Sequence, residues 1–186
     1  MSLSDTKLAI ANQEANEKLK ESEGVYSEAV LTFTTFCSIR DISRDLKKHL
    51  TDQCKSAYEG KCAPEGFIEP NSLNIITYSG AELKGSHVKF NVVAKCRVAN
   101  PVVGMNLRCS VVNITKTAGV RAEMLVSPTP IVVYLARDHH LGRSDFNDLQ
   151  VGGTINVQVL GVRFELNDKY ISVIAELKDS NLVKDI

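Results

Sequence analysis

The chain has 186 residues and a mass of 20.4 kDa, with 22 basic and 22 acidic side chains, so its formal net charge is zero. Its share of apolar residues, 44%, is typical of a folded globular protein and excludes a disordered or fibrous chain. No run approaches the ~18 apolar residues of a membrane-spanning helix, and the polar N-terminus has no signal-like apolar core. The sequence therefore predicts a soluble intracellular protein.

The charge is distributed unevenly along the chain. Residues 1–28 contain three lysines and six acidic residues, a net charge of −3, so the other 158 residues carry +3. Strong nonspecific binding to nucleic acid requires many phosphate contacts, and this excess is too small to supply them. Any nucleic-acid binding must come from a local patch.

The five cysteines, at positions 37, 54, 62, 96 and 109, form no Cys-x-x-Cys pair. Irregular spacing of this kind predicts neither a zinc site nor a redox pair, and we expect free thiols and no metal. Cys96 and Cys109 fall on the apolar side of alternating runs, where cysteine acts as a small hydrophobic residue.

The first half of the chain predicts a helix packed on a small antiparallel sheet. Residues 1–25 indicate a weak helix or an arm, with a thin apolar stripe at Leu8, Ala11, Ala15 and Leu19. A strand over Val30–Cys37 follows, and Ser38 then opens an amphipathic helix of about 18 residues that Glu59-Gly60 ends. The buried stripe expected for this helix is Ile42, Leu46, Leu50, Cys54 and Ala57.

Beyond the helix, the segment CAPEGFIEPN is predicted to be an exposed turn, residues 73–78 a strand and SGAELKG a loop. Residues 87–98 then alternate between apolar and polar side chains, which indicates a strand with one buried face. Its polar face carries His87, Lys89, Lys95 and Arg97. This basic face is either a contact for a partner or nucleic acid, or a solvated sheet face.

The second half predicts an all-β domain. Asn100-Pro101 interrupts the preceding strand, because proline cannot donate to a strand ladder. Five strands follow in about 80 residues, and closure into a barrel would remove their exposed edges. The predicted fold class is α+β followed by a five-stranded barrel. The predicted domains are an N-terminal extension (1–27), a helix-on-sheet domain (28–103) and the barrel (104–186).

Particular segments carry a resemblance to a known family. In the barrel they are VGMNLRCSVVNITKTAGVRAEM, IVVYLARDHH and LQVGGTINVQVLGVRFELNDKYISVIAEL, which resemble the ribosomal-protein-S-one type of oligonucleotide-binding barrel. In the first half YEGKCAPEGFI, NSLNIITYSGAELKGSHVKFNVVAKCRV and PVVGM resemble the tip domain of the stalk subunit of archaeal- and eukaryotic-type multisubunit RNA polymerases, the seventh subunit in polymerase II. The resemblance covers about residues 28–178, and the acidic N-terminal extension departs from it.

The resemblance implies a non-catalytic subunit of a DNA-dependent RNA polymerase, without a cofactor. Its implied partners are the polymerase core subunits, a small helical stalk subunit, and nascent single-stranded RNA bound weakly; no membrane is implied. The tip domain would wedge against the core near the clamp, and the barrel would meet emerging RNA. The residues at the implied core-docking turn are Glu59, Gly60, Lys61, Cys62 and Gly66.

A barrel of this kind binds RNA with aromatic faces beside a positive groove. The candidate RNA-binding residues are Lys116, Arg121, Tyr134, Arg137, His139, His140 and Arg143. After Gly119, many such barrels have an aromatic residue where this chain has Val120, so one stacking position is missing. We expect weak, sequence-tolerant binding. His139 and His140 are expected to be surface residues that do not share a metal.

Enzyme motifs are missing from the sequence. No Gly-x-Ser-x-Gly elbow, phosphate-binding glycine loop or metal constellation is present, so no catalytic residue is predicted. The alternative function is a free-standing RNA-binding module of translation or RNA decay. The polymerase class and a cellular or viral origin stay open, and with them a location in the nucleus, the cytoplasm or a virion.

Overall fold

A computed structural model describes residues 24–42, 45–126 and 128–179. The helix predicted within residues 1–25 lies almost wholly outside these ranges. The α-helices and strands are β1 (Tyr26–Ser38), α1 (Leu46–Tyr58), β2 (Cys62–Ala63), β3 (Gly66–Ile68), β4 (Asn74–Tyr78), β5 (Glu82–Lys84), β6 (His87–Ala99), β7 (Asn106–Thr115), β8 (Gly119–Met124), β9 (Ile131–Ala136), α2 (Ser144–Asn147), β10 (Thr154–Arg163) and β11 (Ile171–Asp179). Two short 3₁₀ helices, Ile39–Asp41 and Arg137–His140, complete the set.

The described chain divides into two compact units. The sheet unit contains Tyr26–Asn100 together with Glu165–Lys169, and the barrel unit contains Pro101–Phe164 together with residues 24–25 and the segment from Tyr170 onward. The division thus lies between Asn100 and Pro101, close to the predicted boundary after residue 103. Tyr26 and Ser27, which the prediction assigned to the N-terminal extension, already belong to β1.

In the sheet unit, β1 and β6 pair antiparallel over their whole length, from Tyr26 opposite Ala99 to Ser38 opposite His87. The predicted alternation of β6 is confirmed: Val88, Phe90, Val92, Ala94, Cys96 and Val98 are all buried. Together with Leu50 and Cys54 of α1 they form one apolar core. The buried face of β6 is therefore the surface on which α1 packs.

The helix ends at Tyr58 with Glu59 as its C-cap, as predicted, but its start and two residues of its buried stripe differ from the prediction. Ser38 Oγ accepts a hydrogen bond from Arg40 N, but this caps the 3₁₀ helix, and α1 begins only at Leu46. Ile42 has an extended backbone and an exposed side chain, so it does not belong to the buried stripe. At the other end Tyr58 replaces the expected Ala57, because its ring stacks on Phe33 with centroids 4.4 Å apart.

Two segments predicted as turn and loop contain strands. The segment CAPEGFIEPN was wrongly predicted to be exposed, since β2 and β3 pair within it and Phe67 and Ile68 are completely buried. Gly66 is necessary there: its φ is +135°, and a Cβ at this position would lie 2.3 Å from Ala99 O. The predicted loop SGAELKG contains β5, which pairs with the start of β6.

The barrel unit closes in the order β7-β8-β9-β11-β10, with β10 returning to β7. All pairs are antiparallel except β9 and β11, which are parallel. The prediction of a closed five-stranded barrel is confirmed, and each of its strands lies within a few residues of its expected position. Alternate side chains fill the interior, among them Val133, Leu135, Val157, Val173 and Ala175.

All five cysteines are buried free thiols, which agrees with the hydrophobic role predicted for Cys96 and Cys109. Burial raises the pKa of Cys54 to about 11, and the neighbouring Cys37 adds to this shift. Within the described ranges, no helix has the length and apolar character needed to cross a bilayer.

Candidate nucleic-acid interface

A row of outward-facing residues crosses the barrel surface. Asn113 on β7 lies opposite Arg121 on β8, Arg121 lies opposite Tyr134 on β9, and Tyr134 lies opposite Ile174 on β11. The four side chains are exposed, because their inward-pointing neighbours fill the barrel. We call this set the barrel row. It brings together Arg121 and Tyr134, two of the predicted RNA-binding residues.

Tyr134 supplies the aromatic surface of the barrel row. Its side chain is 39% exposed and Tyr170, just before β11, is 38% exposed. Partial burial raises the pKa of Tyr134, and Tyr170 raises it further through its charge and a side-chain hydrogen bond. The Tyr134 hydroxyl therefore stays protonated at neutral pH. Its partly exposed ring is suited to stack on a base.

A cavity of about 470 Å³ opens beside the barrel row. Its apolar part is formed by Val120, Leu135 and Ile174, and its polar part by the Asn113, Thr115 and His139 side chains. Gly119 is required for this shape, since its φ is +123° and a Cβ would lie 2.0 Å from Leu135 O. Val120, at the position where the sequence predicts a missing stacking residue, is buried in the cavity wall. Tyr134 on the next strand provides the aromatic ring instead.

The positive charge near the cavity is modest. Arg121 is paired with Glu123, whose carboxylate lies 2.8 Å from the guanidinium, so much of its charge is compensated. Lys116 in the turn between β7 and β8 and His139 are exposed, and within the described residues neither takes part in an ion pair. The basic groups that can meet phosphate are therefore few.

Arg137 makes two hydrogen bonds within the barrel unit. Its guanidinium donates to Lys116 O and, at 3.0 Å, to Asn147 Oδ1. It thereby links the β7–β8 turn to α2. These bonds hold the turn that carries Lys116, and the partly exposed Arg137 stays a predicted RNA-binding residue.

His140 corrects the prediction. It was expected to be a surface histidine that contacts RNA, but it is 3% exposed. Its Nδ1 donates to Ala136 O at 2.7 Å, its Nε2 accepts from Leu177 N at 2.8 Å, and its ring stacks on Phe146 at 4.4 Å. Because both ring nitrogens are engaged, His140 is a structural residue of the barrel.

Arg143 is likewise occupied inside the barrel unit. It donates to Leu177 O at 2.6 Å and forms a two-pronged pair with Asp145, with distances of 3.1 and 2.5 Å. These hydrogen bonds hold the pKa of Asp145 below its ordinary value. Of the seven predicted RNA-binding residues, the structure thus brings Lys116, Arg121, Tyr134 and His139 to the cavity region and gives the other three structural contacts.

The predicted docking residues form the turn that follows α1. Glu59 accepts from Leu73 N at 2.9 Å, Gly60 adopts a φ of +71° and donates to Ile68 O, and Lys61 donates to Ala57 O. Cys62 and Gly66 are buried, so neither offers a surface to a partner. Cys62 N donates to Asp168 O at 2.8 Å, and Cys62 O accepts from Asn167 N. Only the half-buried Glu59, Gly60 and Lys61 remain accessible.

The basic face of β6 is largely neutralised. Lys89 pairs with Glu82 at 3.4 Å, Lys95 with Glu28 at 2.9 Å and Arg97 with Glu69 at 3.1 Å. The Arg97 guanidinium also lies 5.3 Å above the centre of the Tyr26 ring. These contacts favour the interpretation of this surface as a solvated sheet face.

The described residues contain no group of three or more His, Cys, Asp or Glu side chains placed to hold a metal ion. Comparison of the chain with protein-family models and with curated proteins gives no match.

Sequence reasoning did not identify Asn113, Thr115, Tyr170 and Ile174. The cross-strand register places Asn113 opposite Arg121, and it places Ile174, 40 residues further along the chain, opposite Tyr134. A sequence signal existed for Ile174, since it is the exposed apolar residue in an otherwise alternating strand.

Proposed function

We propose that this chain is a non-catalytic stalk subunit of a DNA-dependent RNA polymerase whose barrel holds nascent single-stranded RNA. The observation that carries the RNA-binding part is the exposed pair of Arg121 and Tyr134 on the second and third barrel strands. That face and the adjoining loops are where oligonucleotide-binding barrels bind their ligands. The parallel pairing of the third and fifth strands also suits such a barrel.

The proposed mechanism is stacking with limited charge support. A base would lie on the Tyr134 ring with its edge over the apolar cavity wall, while Arg121 and Lys116 approach the backbone phosphates. Stacking on an aromatic side chain contributes ~1–3 kcal/mol per base and is tolerant of sequence. Since Glu123 compensates Arg121, we expect weak binding that depends little on base identity.

The stalk part rests on the order of the two units and on the segments that resemble the polymerase tip domain. In this proposal the accessible turn of Glu59, Gly60 and Lys61 contacts the polymerase core. Cys62 and Gly66 support that contact indirectly, because they hold the turn in place through backbone hydrogen bonds and close packing.

The test is affinity purification of the tagged chain from its native source, with the bound proteins identified by mass spectrometry. The large polymerase subunits should copurify in stoichiometric amounts. A Tyr134→Ala variant is the matched control, since it alters the RNA face and should still copurify with them. A purified chain that carries no polymerase subunits would contradict the stalk proposal.

The second candidate is a free-standing RNA-binding module. It is favoured by one observation: the barrel row and its cavity are built entirely from the barrel unit. This candidate predicts that the isolated chain binds RNA and that copurification yields RNA without polymerase subunits.

A further inference from the structure

Strand β1 forms an edge of the sheet in the sheet unit. It pairs with β6 on one side, and among the described residues no strand pairs with its other side. The hydrogen-bonding direction of each residue follows from β6, where Asn91 O and Arg97 O accept from Ser79 N and Glu69 N. The backbone N–H and C=O groups of odd-numbered β6 residues therefore point away from β1, and those of even-numbered β6 residues point towards it. The register places even-numbered β6 residues opposite odd-numbered β1 residues, so these odd-numbered residues bond to β6. The backbone N–H and C=O groups of the even-numbered β1 residues therefore point to the free edge.

Part of this edge is already covered. Gln53 Nε2 donates to Phe36 O at 2.8 Å and the Tyr58 hydroxyl donates to Thr34 O at 3.1 Å, so α1 closes the C-terminal part of the strand. Glu28, Val30 and Thr32 have no such cover, and their backbone N–H and C=O groups lack a hydrogen-bond partner in the described structure. We call these three residues the open edge.

The open edge also lacks the devices that usually prevent strands from pairing. The register of β1 with β6 runs without a bulge, and β1 contains neither proline nor lysine. Val30 is 60% exposed, and both Val30 and Thr32 are β-branched residues that favour strands. A regular, uncovered stretch of edge such as this one is a template for another strand.

We propose that the open edge pairs antiparallel with the open edge of a second copy of this chain, around a two-fold axis at Val30. In this register Val30 lies opposite its own copy and Glu28 lies opposite Thr32 of the copy. No like charges face each other, and Glu28 can keep its ion pair with Lys95. The pairing ends where the Tyr58 hydroxyl covers Thr34 O. The segment is thus complementary to itself, as a two-fold interface requires.

Other segments that could pair with the open edge fit it less well than a second copy does. Residues 1–23 consist mainly of Glu, Lys, Asn, Ala and Ser, with only Thr6 and Ile10 β-branched, so their composition disfavours a strand. Nothing along the open edge specifies the side chains of an unrelated partner strand. The proposal goes beyond the proposed function, since it concerns the chain free of any polymerase.

The test is sedimentation velocity of the full purified chain over a roughly hundredfold range of concentration. The weight-average mass should rise from 20.4 kDa towards twice that value. Thr32→Pro removes one N–H at the open edge and spares the ladder with β6. Loss of its reciprocal pair of hydrogen bonds should weaken dimerisation at least about tenfold. Val30→Lys places like charges at the two-fold axis and should have a similar effect, whereas the β-branched control Val30→Thr should still dimerise.

Hydrogen exchange supplies the second measurement. Amide protection of Glu28, Val30 and Thr32 should increase with protein concentration. A chain that stays monomeric throughout, or a dimer that both Thr32→Pro and Val30→Lys leave intact, would overturn the proposal. Protection that is independent of concentration and disappears when residues 1–23 are removed would instead assign the edge to the chain's own N-terminal segment. Copurification with polymerase tests the proposed function separately and is unaffected by either result.

Discussion

Arg121 and Tyr134 lie directly opposite each other on β8 and β9, both on the outer surface of the barrel. Arg121 forms an ion pair with Glu123, and partial burial together with Tyr170 raises the pKa of the Tyr134 hydroxyl. In the proposed function, the Tyr134 ring would stack on one base and the Arg121 guanidinium would approach one nearby phosphate.

Removal of the Tyr134 ring should weaken RNA binding. Tyr134→Ala should raise the dissociation constant for a short single-stranded oligonucleotide by roughly 5- to 150-fold, the equivalent of ~1–3 kcal/mol of stacking. Tyr134→Phe keeps the ring and should stay within about threefold of the wild type. Fluorescence anisotropy with labelled oligouridine measures both. Tyr78→Ala is the matched control, because Tyr78 is equally exposed, at 38%, but belongs to the sheet unit. Equal losses for Tyr78→Ala and Tyr134→Ala would contradict this site.

The salt dependence of RNA binding should be shallow. With phosphate contacts limited to Lys116 and Arg121, the slope of log K against log salt should be about −1.4, from about −0.7 per phosphate on a single strand. Lys116→Ala should reduce the slope by about 0.7. A slope steeper than about −4 would mean that many more basic groups bind phosphate than the barrel row provides.

His139 and His140 should respond very differently to the same substitution. His140→Ala leaves a cavity beside Phe146 and deprives Leu177 N of its acceptor, so it should lower the free energy of unfolding by about 3–5 kcal/mol. His139→Ala, at an exposed position, should change it by less than about 0.5 kcal/mol. Urea denaturation followed by circular dichroism measures both variants. Comparable stabilities of the two variants would contradict the structural role of His140.

The neighbouring histidines also show where sequence patterns reach their limit. Adjacent residues on a strand point to opposite faces, but Arg137–His140 is a 3₁₀ helix that turns His140 inward. His140 donates to the backbone oxygen of Ala136, accepts from the backbone N–H of Leu177 and stacks on the Phe146 ring, and the contact with Leu177 spans 37 residues. No local pattern encodes a partner at that separation.

Period-two burial, by contrast, is a local property, and it made β6 and the barrel strands predictable. Each of these strands has one face in a core, so its sequence alternates. Phe67 and Ile68 were missed because Gly66 and Pro70 flank them, and such residues usually mark exposed turns. Here Gly66 is needed because its backbone packs closely on Ala99 O, and it does not mark an exposed turn. The barrel row was predicted only in part, since the position of Asn113 depends on the register of β7 with β8 and that of Ile174 on the parallel pairing of β9 with β11.

Two glycines of the barrel should differ in their tolerance of a methyl group. Gly119→Ala would place a Cβ 2.0 Å from Leu135 O at a φ of +123°, so β8 and β9 would have to separate. We expect a loss of about 3–5 kcal/mol in the free energy of unfolding and a weaker RNA complex. Gly161→Ala, where a Cβ meets open space, should cost less than about 1 kcal/mol. Thermal denaturation of both variants measures the two losses of stability. A Gly119→Ala variant as stable as the wild type would contradict the close approach of β8 and β9.

The buried thiol of Cys54 should make the protein less stable in alkali. Burial raises its pKa from 9.0 to about 11, so the folded chain holds the proton more tightly than the unfolded chain does. For a raised pKa, the stabilisation is complete below pH 9 and is lost as the pH rises from 9 towards 11. The urea midpoint should therefore fall between about pH 8.5 and pH 10.5. Cys54→Ala should lower stability at every pH, because it removes buried atoms, but it should flatten this decline. An unchanged decline in Cys54→Ala would show that other groups control the alkaline loss.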